Sequence, residues 1–119
     1  MKYALLIYDD GSAWIDLPED EKAALRAEEM PKWVALFEEL GKADPNVSGK
    51  ELDGRGTAKV VRVRDGERIV TDGPFAETKE IIGGLFLTEL PDLDEAIRLA
   101  SLIPAAQGAG AIEIRPVVQ

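Results

Sequence analysis

The residues best suited to chemistry lie in one stretch, Thr71–Asp72–Gly73–Pro74–Phe75–Ala76–Glu77–Thr78–Lys79–Glu80, with Arg68 just ahead of it. A plain connection between two strands needs only a short turn. This one carries a glycine–proline corner, an aromatic, and the ionisable groups Arg68, Asp72, Glu77, Lys79 and Glu80. Asp72 is the candidate catalytic residue. A carboxylate at the mouth of a sheet can serve as a general base; burial raises its pKa towards a useful range, and a nearby cation lowers it. Gly73, Pro74, Phe75, Lys79 and Tyr8 are the candidate ligand-binding residues. Phe75 would be an apolar wall, and Lys79 would hold Asp72 ionised or orient an anionic substrate. Tyr8, at the end of the first strand, would line the same mouth. Each has a plainer reading. Gly73 before proline is pushed towards extended or turn geometry, so Asp72 can simply accept backbone N–H bonds of a rigid strand exit. Tyr8 can be a half-buried core tyrosine. Glu77, Lys79 and Glu80 can be a solvated run.

Composition narrows the chemistry further. The 119 residues include no cysteine and no histidine. Disulfides and thiol nucleophiles are therefore excluded, as are the commonest general base and the commonest transition-metal ligand. Acid–base work falls to Asp, Glu, Lys or Tyr. No phosphate loop, metal cluster or nucleophile elbow is recognisable, so neither a cofactor nor a metal is expected. A net charge of −9 argues against a nucleic-acid partner, whose phosphates need Lys and Arg. Met1–Tyr8 is too short for a signal segment, and no run is long enough to span a bilayer, so no membrane partner is expected. The expectation is a cytoplasmic protein forming a single domain over residues 1–119.

These candidates need elements to hold them. Lys2–Tyr8 reads as a strand apolar on both alternations, Tyr3, Leu5 and Ile7 against Ala4, Leu6 and Tyr8. Asp16–Leu17–Pro18–Glu19 is a helix start with the capping-box offset. The helical pattern runs to about Lys42, with Pro31 expected to kink or split it. Met30, Trp33, Leu36, Phe37 and Leu40 form its packing stripe. Ala43–Gly56 reads as a loop with a short extended piece near Val47. Lys59–Arg64 and Glu67–Thr71 form a hairpin over Asp65–Gly66, a type I′ pair. That turn fixes the register: Arg64 faces Glu67, Arg62 faces Ile69, and Val61 faces Val70. Val61, Val63 and Val70 then share a face expected to be buried, with Asp72 over its end. Ile81–Leu90 is a strand in which Gly83–Gly84 suggests a bulge or a close approach. Asp92 caps a helix with the stripe Leu93, Ala96, Ile97, Ala100 and Ile103, ended by Pro104. Ala111–Arg115 closes the sheet with Ile112 and Ile114 inward.

Strand, helix, hairpin, strand, helix, strand is an α+β order. A ferredoxin-like βαββαβ sheet with two main helical segments on one face fits it best. Ala4, Leu6, Tyr8 and Phe86 would remain on the uncovered face, which predicts a homodimer with sheets packed face to face.

The run VRVRDGERIVTDGPFAETKEIIGG resembles the signature of the DGPF group of YCII-related proteins. The opening MKYALLIYDD, the DLDEAI helix start, the Ile103–Pro104 pair and the closing EIRPV are similar in order and spacing. The resemblance implies a ferredoxin-like dimeric α/β barrel. It also implies a His–Asp pair in a cleft, acting on small cyclic or dienic substrates by isomerisation or elimination. The aspartate corresponds to Asp72. The histidine has no counterpart, because its helix position falls near Glu29–Lys32, where Pro31 stands. Members of the group further resemble proteins found beside, or fused to, extracytoplasmic-function sigma factors, which implies a regulatory role with a sigma factor as partner. Two expectations follow: a small-molecule-binding dimer with a cleft around Asp72, working as an isomerase or lyase through carboxylate general-base chemistry, or a non-catalytic regulatory module.

Overall fold

Strand β1 (Lys2–Asp10) occupies the middle of a four-stranded sheet, between β5 (Glu80–Glu89) and β6 (Ala111–Pro116), with both of which it runs antiparallel. The computed structural model from which this is read describes residues 1–10, 17–53, 57–73 and 80–119. Helix α1 (Glu19–Ala43) leads from β1 to β2 (Ser48–Glu51), which pairs with the far edge of β5. The order across the sheet is β2-β5-β1-β6. β1 and β2 therefore run parallel with β5 inserted between them. Helices α2 (Leu93–Ala100) and α3 (Pro104–Gln107) connect β5 to β6. This is the antiparallel α+β plan of a ferredoxin-like sheet. Into it, between β2 and β5, the chain inserts a separate two-stranded hairpin, β3 (Lys59–Arg64) and β4 (Glu67–Asp72).

One face of the sheet makes the core. Tyr3, Leu5, Phe86 and Leu90 pack against Leu36 and Leu40 of α1, Ala96 and Leu99 of α2, and Ile103, with Ile112 and Ile114 partly buried beside them. Because Leu5 pairs with Phe86, that phenylalanine belongs to this covered face and not, as expected, to the open one. The open face carries Ala4, Leu6 and Tyr8 beside Leu87, Leu85 and Ile82, their cross-strand partners. None of these six joins the core. A slip in pairing between Ile7 and Tyr8 leaves Gly83 as the extra residue on β5, which is the bulge the glycine pair suggested. At Gly84 a side chain would stand 2.9 Å from the Lys50 carbonyl oxygen, so β2 could not come this close to any other residue.

The helix stripes pack where expected in part. α1 stays one helix through Pro31, but only Leu36 and Leu40 are buried, while Met30 and Phe37 are half exposed. In α2 the buried set is Ala96, Leu99 and Ala100, and Leu93 and Ile97 face outward. Ala96, Ala100 and Ile103 of the expected stripe are buried, whereas Leu93 and Ile97 share their spacing but not their packing, and Leu99 takes their place. Asp92 caps α2 as expected, accepting from the Glu95 N–H at 2.9 Å. At α1 the cap position falls on Pro18, with no side-chain bond; Asp16 lies outside the described residues. β2 is a full edge strand where a mostly irregular loop was expected. Ser48–Glu51 has no apolar alternation to announce it, and it is held by backbone pairing to β5 together with an exposed ion pair between Glu51 and Arg26 of α1.

A buried carboxylate joins these layers. Asp44, 8% exposed, follows α1, and its N–H bonds to the Leu40 carbonyl at 2.8 Å, closing the helix. Its side chain accepts the Glu89 N–H at 2.8 Å, the Asn46 N–H at 2.9 Å and the Thr88 hydroxyl at 3.2 Å. The Glu89 amide is the main cause of a lowered Asp44 pKa, helped by Asn46, Thr88 and the charge of Lys2 against the opposing effect of burial. Thr88 is fully buried, so without Asp44 its hydroxyl would lose a partner where water is excluded. Asp44→Ala should therefore destabilise the fold by about 1–3 kcal/mol at neutral pH. Because the folded pKa is depressed, the charged-state part of this contribution is present above the ordinary carboxylate pKa and lost as pH falls through the lower folded value. Urea unfolding of wild type and variant at pH 7 and pH 3 should show the gap narrowing in acid. An equal gap at both pH values would rule out the ionised carboxylate as its source.

Candidate functional site

The hairpin that carries Asp72 is built by its turn. Asp65 (φ 51°) and Gly66 (φ 79°) both adopt left-handed backbone, which the type I′ turn demands and which aspartate and glycine tolerate best. From there the register runs as expected, Arg64 opposite Glu67, Arg62 opposite Ile69 and Val61 opposite Val70, and ends with Lys59 opposite Asp72. The Gly73 N–H then bonds to the Ala58 carbonyl at 2.9 Å. A side chain at Gly73 would meet the Ala58 methyl at 3.0 Å, so glycine lets the two strands stay close at their exit.

Asp72 lies in water. Its side chain is 86% exposed and accepts a hydrogen bond from the Lys59 ammonium at 2.5 Å. That bond, followed by the attraction of the same charge, holds its pKa below the usual carboxylate range. Register put Asp72 on the side of Val70 correctly, but the face it shares is not a buried one. Val61 is 59% exposed, Val63 61% and Val70 54%. The burial expectation failed because alternation shows that residues share a face and not that anything covers it.

The cation beside Asp72 is thus Lys59, which sequence reasoning did not single out. Counting the register back from Asp65–Gly66 places Lys59 opposite Asp72, so the signal was there to use. Lys79, proposed for that role, lies outside the described residues, as do Pro74 and Phe75. Tyr8 sits on the open face of the four-stranded sheet, paired with Ile82 and Ala111 and partly exposed. It belongs to a different sheet from Asp72 and Gly73. The two sheets are joined in sequence where β4 runs out at Asp72 and β5 begins at Glu80. Among the described residues no group of Asp and Glu is arranged to hold a metal ion, and no helix is long and apolar enough to cross a membrane.

Fold and hairpin together describe an α+β protein of ferredoxin-like topology, with an inserted two-stranded arm and an ionised aspartate at the arm's root. The whole chain, residues 1–119, matches the YCII-related domain, and the protein belongs to that family. It is 37% identical over 121 residues to "Uncharacterized protein R00369" of Rhizobium meliloti (strain 1021), an alignment covering 98% of this chain and 92% of that protein. Neither comparison brings an activity with it.

The role of Lys59 can be read directly at the carboxyl group. In Lys59→Met the Asp72 side chain should titrate in the ordinary aspartate range, with its carbon-13 carboxyl midpoint moving upward from the wild-type value. An unchanged midpoint would mean that another group holds the proton off Asp72.

Proposed function

We propose that this protein is a homodimer that binds a small polar molecule in a cleft around Asp72, without turning it over. The observation that carries the choice of binding over catalysis is the Lys59–Asp72 pair. A general base gains strength from desolvation and loses it to a bonded cation, and here the cation is bonded and the water is present. An ionised carboxylate beside an ammonium instead offers an acceptor and a donor to a ligand carrying both kinds of group. The absence of histidine points the same way, since the paired base of the resemblance has no counterpart.

The dimer is supported by surface that a monomer of this size should not expose. The chain exposes 8278 Å², whereas a folded monomer of its mass should expose about 6,300 Å². Its radius of gyration is 16.2 Å, against about 13.5 Å for a compact domain of this length. The shortest extent, 21 Å, suits one sheet and one helical layer. A second copy laid on Ala4, Leu6, Leu85 and Leu87 would supply the missing layer. Such a ligand-binding dimer could also serve regulation, the setting that the resemblance to sigma-factor neighbours suggests.

Melting of wild type and Asp72→Asn across a metabolite library, with turnover followed in parallel, tests this reading. A ligand at a hundredfold excess over its Kd should raise the wild-type Tm by on the order of 10 °C. The shift should be largely lost in Asp72→Asn, and no compound should be consumed. Consumption by wild type that disappears in Asp72→Asn would replace binding with general-base catalysis. On the assembly, light scattering should give twice the chain mass at micromolar concentration, and Leu6→Lys should give the single-chain mass.

A further inference from the structure

The hairpin β3–β4 lacks what normally stabilises such a piece. A two-stranded hairpin standing alone in water is marginal at best, and it needs further strands or a packed face. None of its residues is buried, and none joins the core. One side nevertheless presents Val61, Val63 and Val70 in a row, with Arg68 at the tip and the Lys59–Asp72 pair at the foot. This is the pattern of a strand pair with a covered face, lacking its cover.

Charge indicates what the cover is. Residues 59–72 hold Lys59, Arg62, Arg64 and Arg68 against Asp65, Glu67 and Asp72, a net +1. Since the whole chain is −9, the rest carries −10. A slightly basic arm projects from a strongly acidic body, so the body of a second copy offers the arm a surface of complementary charge. The same body charge repels nucleic acid and anionic membrane. The surface in excess of a compact monomer's, about 2,000 Å² with the hairpin included, is within what one chain of a large obligate homodimer buries. We propose that the β3–β4 hairpin is an intersubunit arm, its Val61–Val63–Val70 face lying on the partner copy. Each ligand site around Asp72 is then completed by the partner. The Lys59–Asp72 pair shares the valine face, so only assembly takes one flank of the pair out of water.

This inference rests on the dimer proposed above, and the test separates the two. Hydrogen exchange of the wild-type hairpin amides is followed above and below the dimer dissociation constant, with mass followed by light scattering. The triple variant V61T/V63T/V70T keeps side-chain shape and strand propensity while removing the apolar face. Hairpin protection should appear with dimerisation, and the triple variant should dimerise about 100-fold or more weakly while keeping the wild-type near-ultraviolet dichroism. A dimer whose hairpin amides exchange at the unstructured rate, or a triple variant that dimerises as tightly as wild type, would overturn the arm and leave the dimer standing. A chain that stays monomeric overturns both, and protection independent of concentration would assign the cover to the chain's own body.

Discussion

A four-stranded sheet with helices on one side only is the constraint from which the rest follows. β1 is apolar on both alternations because it sits at the centre, pairing Leu5 with Phe86 on the covered side and Leu6 with Leu85 on the other. The covered side is closed by α1, α2 and Ile103, and the buried carboxylate of Asp44 ties the end of α1 to the end of β5. A carboxylate is tolerable there because three donors satisfy it. The open side has no such closure. Burying an apolar strip of that kind is worth roughly 25 cal/mol for each Å² removed from water, so whatever of it stays exposed favours association.

Much of this organisation could be read from the sequence, and the failures have a common cause. The turn pair Asp65–Gly66 dictated the hairpin register down to Lys59 and Asp72, because turn geometry is local and leaves no freedom. Gly83 announced its bulge for the same reason. What periodicity cannot give is the identity of the neighbour. It grouped Val61, Val63 and Val70 correctly but assumed that a shared apolar face is a covered one. In α2 and just beyond it, periodicity placed Ala96, Ala100 and Ile103 correctly but added Leu93 and Ile97 in place of Leu99, because all of these fit the helical repeat and only the packing against the sheet chooses between them. β2 escaped notice because backbone pairing alone makes it a strand, and Gly49 is there to make room for the Phe86 ring, which a side chain would meet at 2.5 Å.

The candidate site shows the same division more sharply. Asp72 could be located by register, and its chemistry could not, because a carboxylate's character is set by its surroundings. In the single chain those surroundings are water and Lys59, and both favour the ionised form. The interaction with Lys59 is worth little while both groups are solvated, since exposed ion pairs are screened and cost side-chain freedom. The pair matters for what happens when one flank is covered. Removing water strengthens the attraction between the two charges and raises the cost of separating them. A lone Asp72 in that position would be driven towards protonation, becoming a base in search of a substrate proton. Bonded to Lys59, it would enter a covered site as half of an ion pair, and a carboxylate already engaged by an ammonium is a poor acceptor for a substrate proton. Lys59 is therefore what keeps Asp72 a ligand for polar groups, and a general base would require Lys59 to be drawn away first.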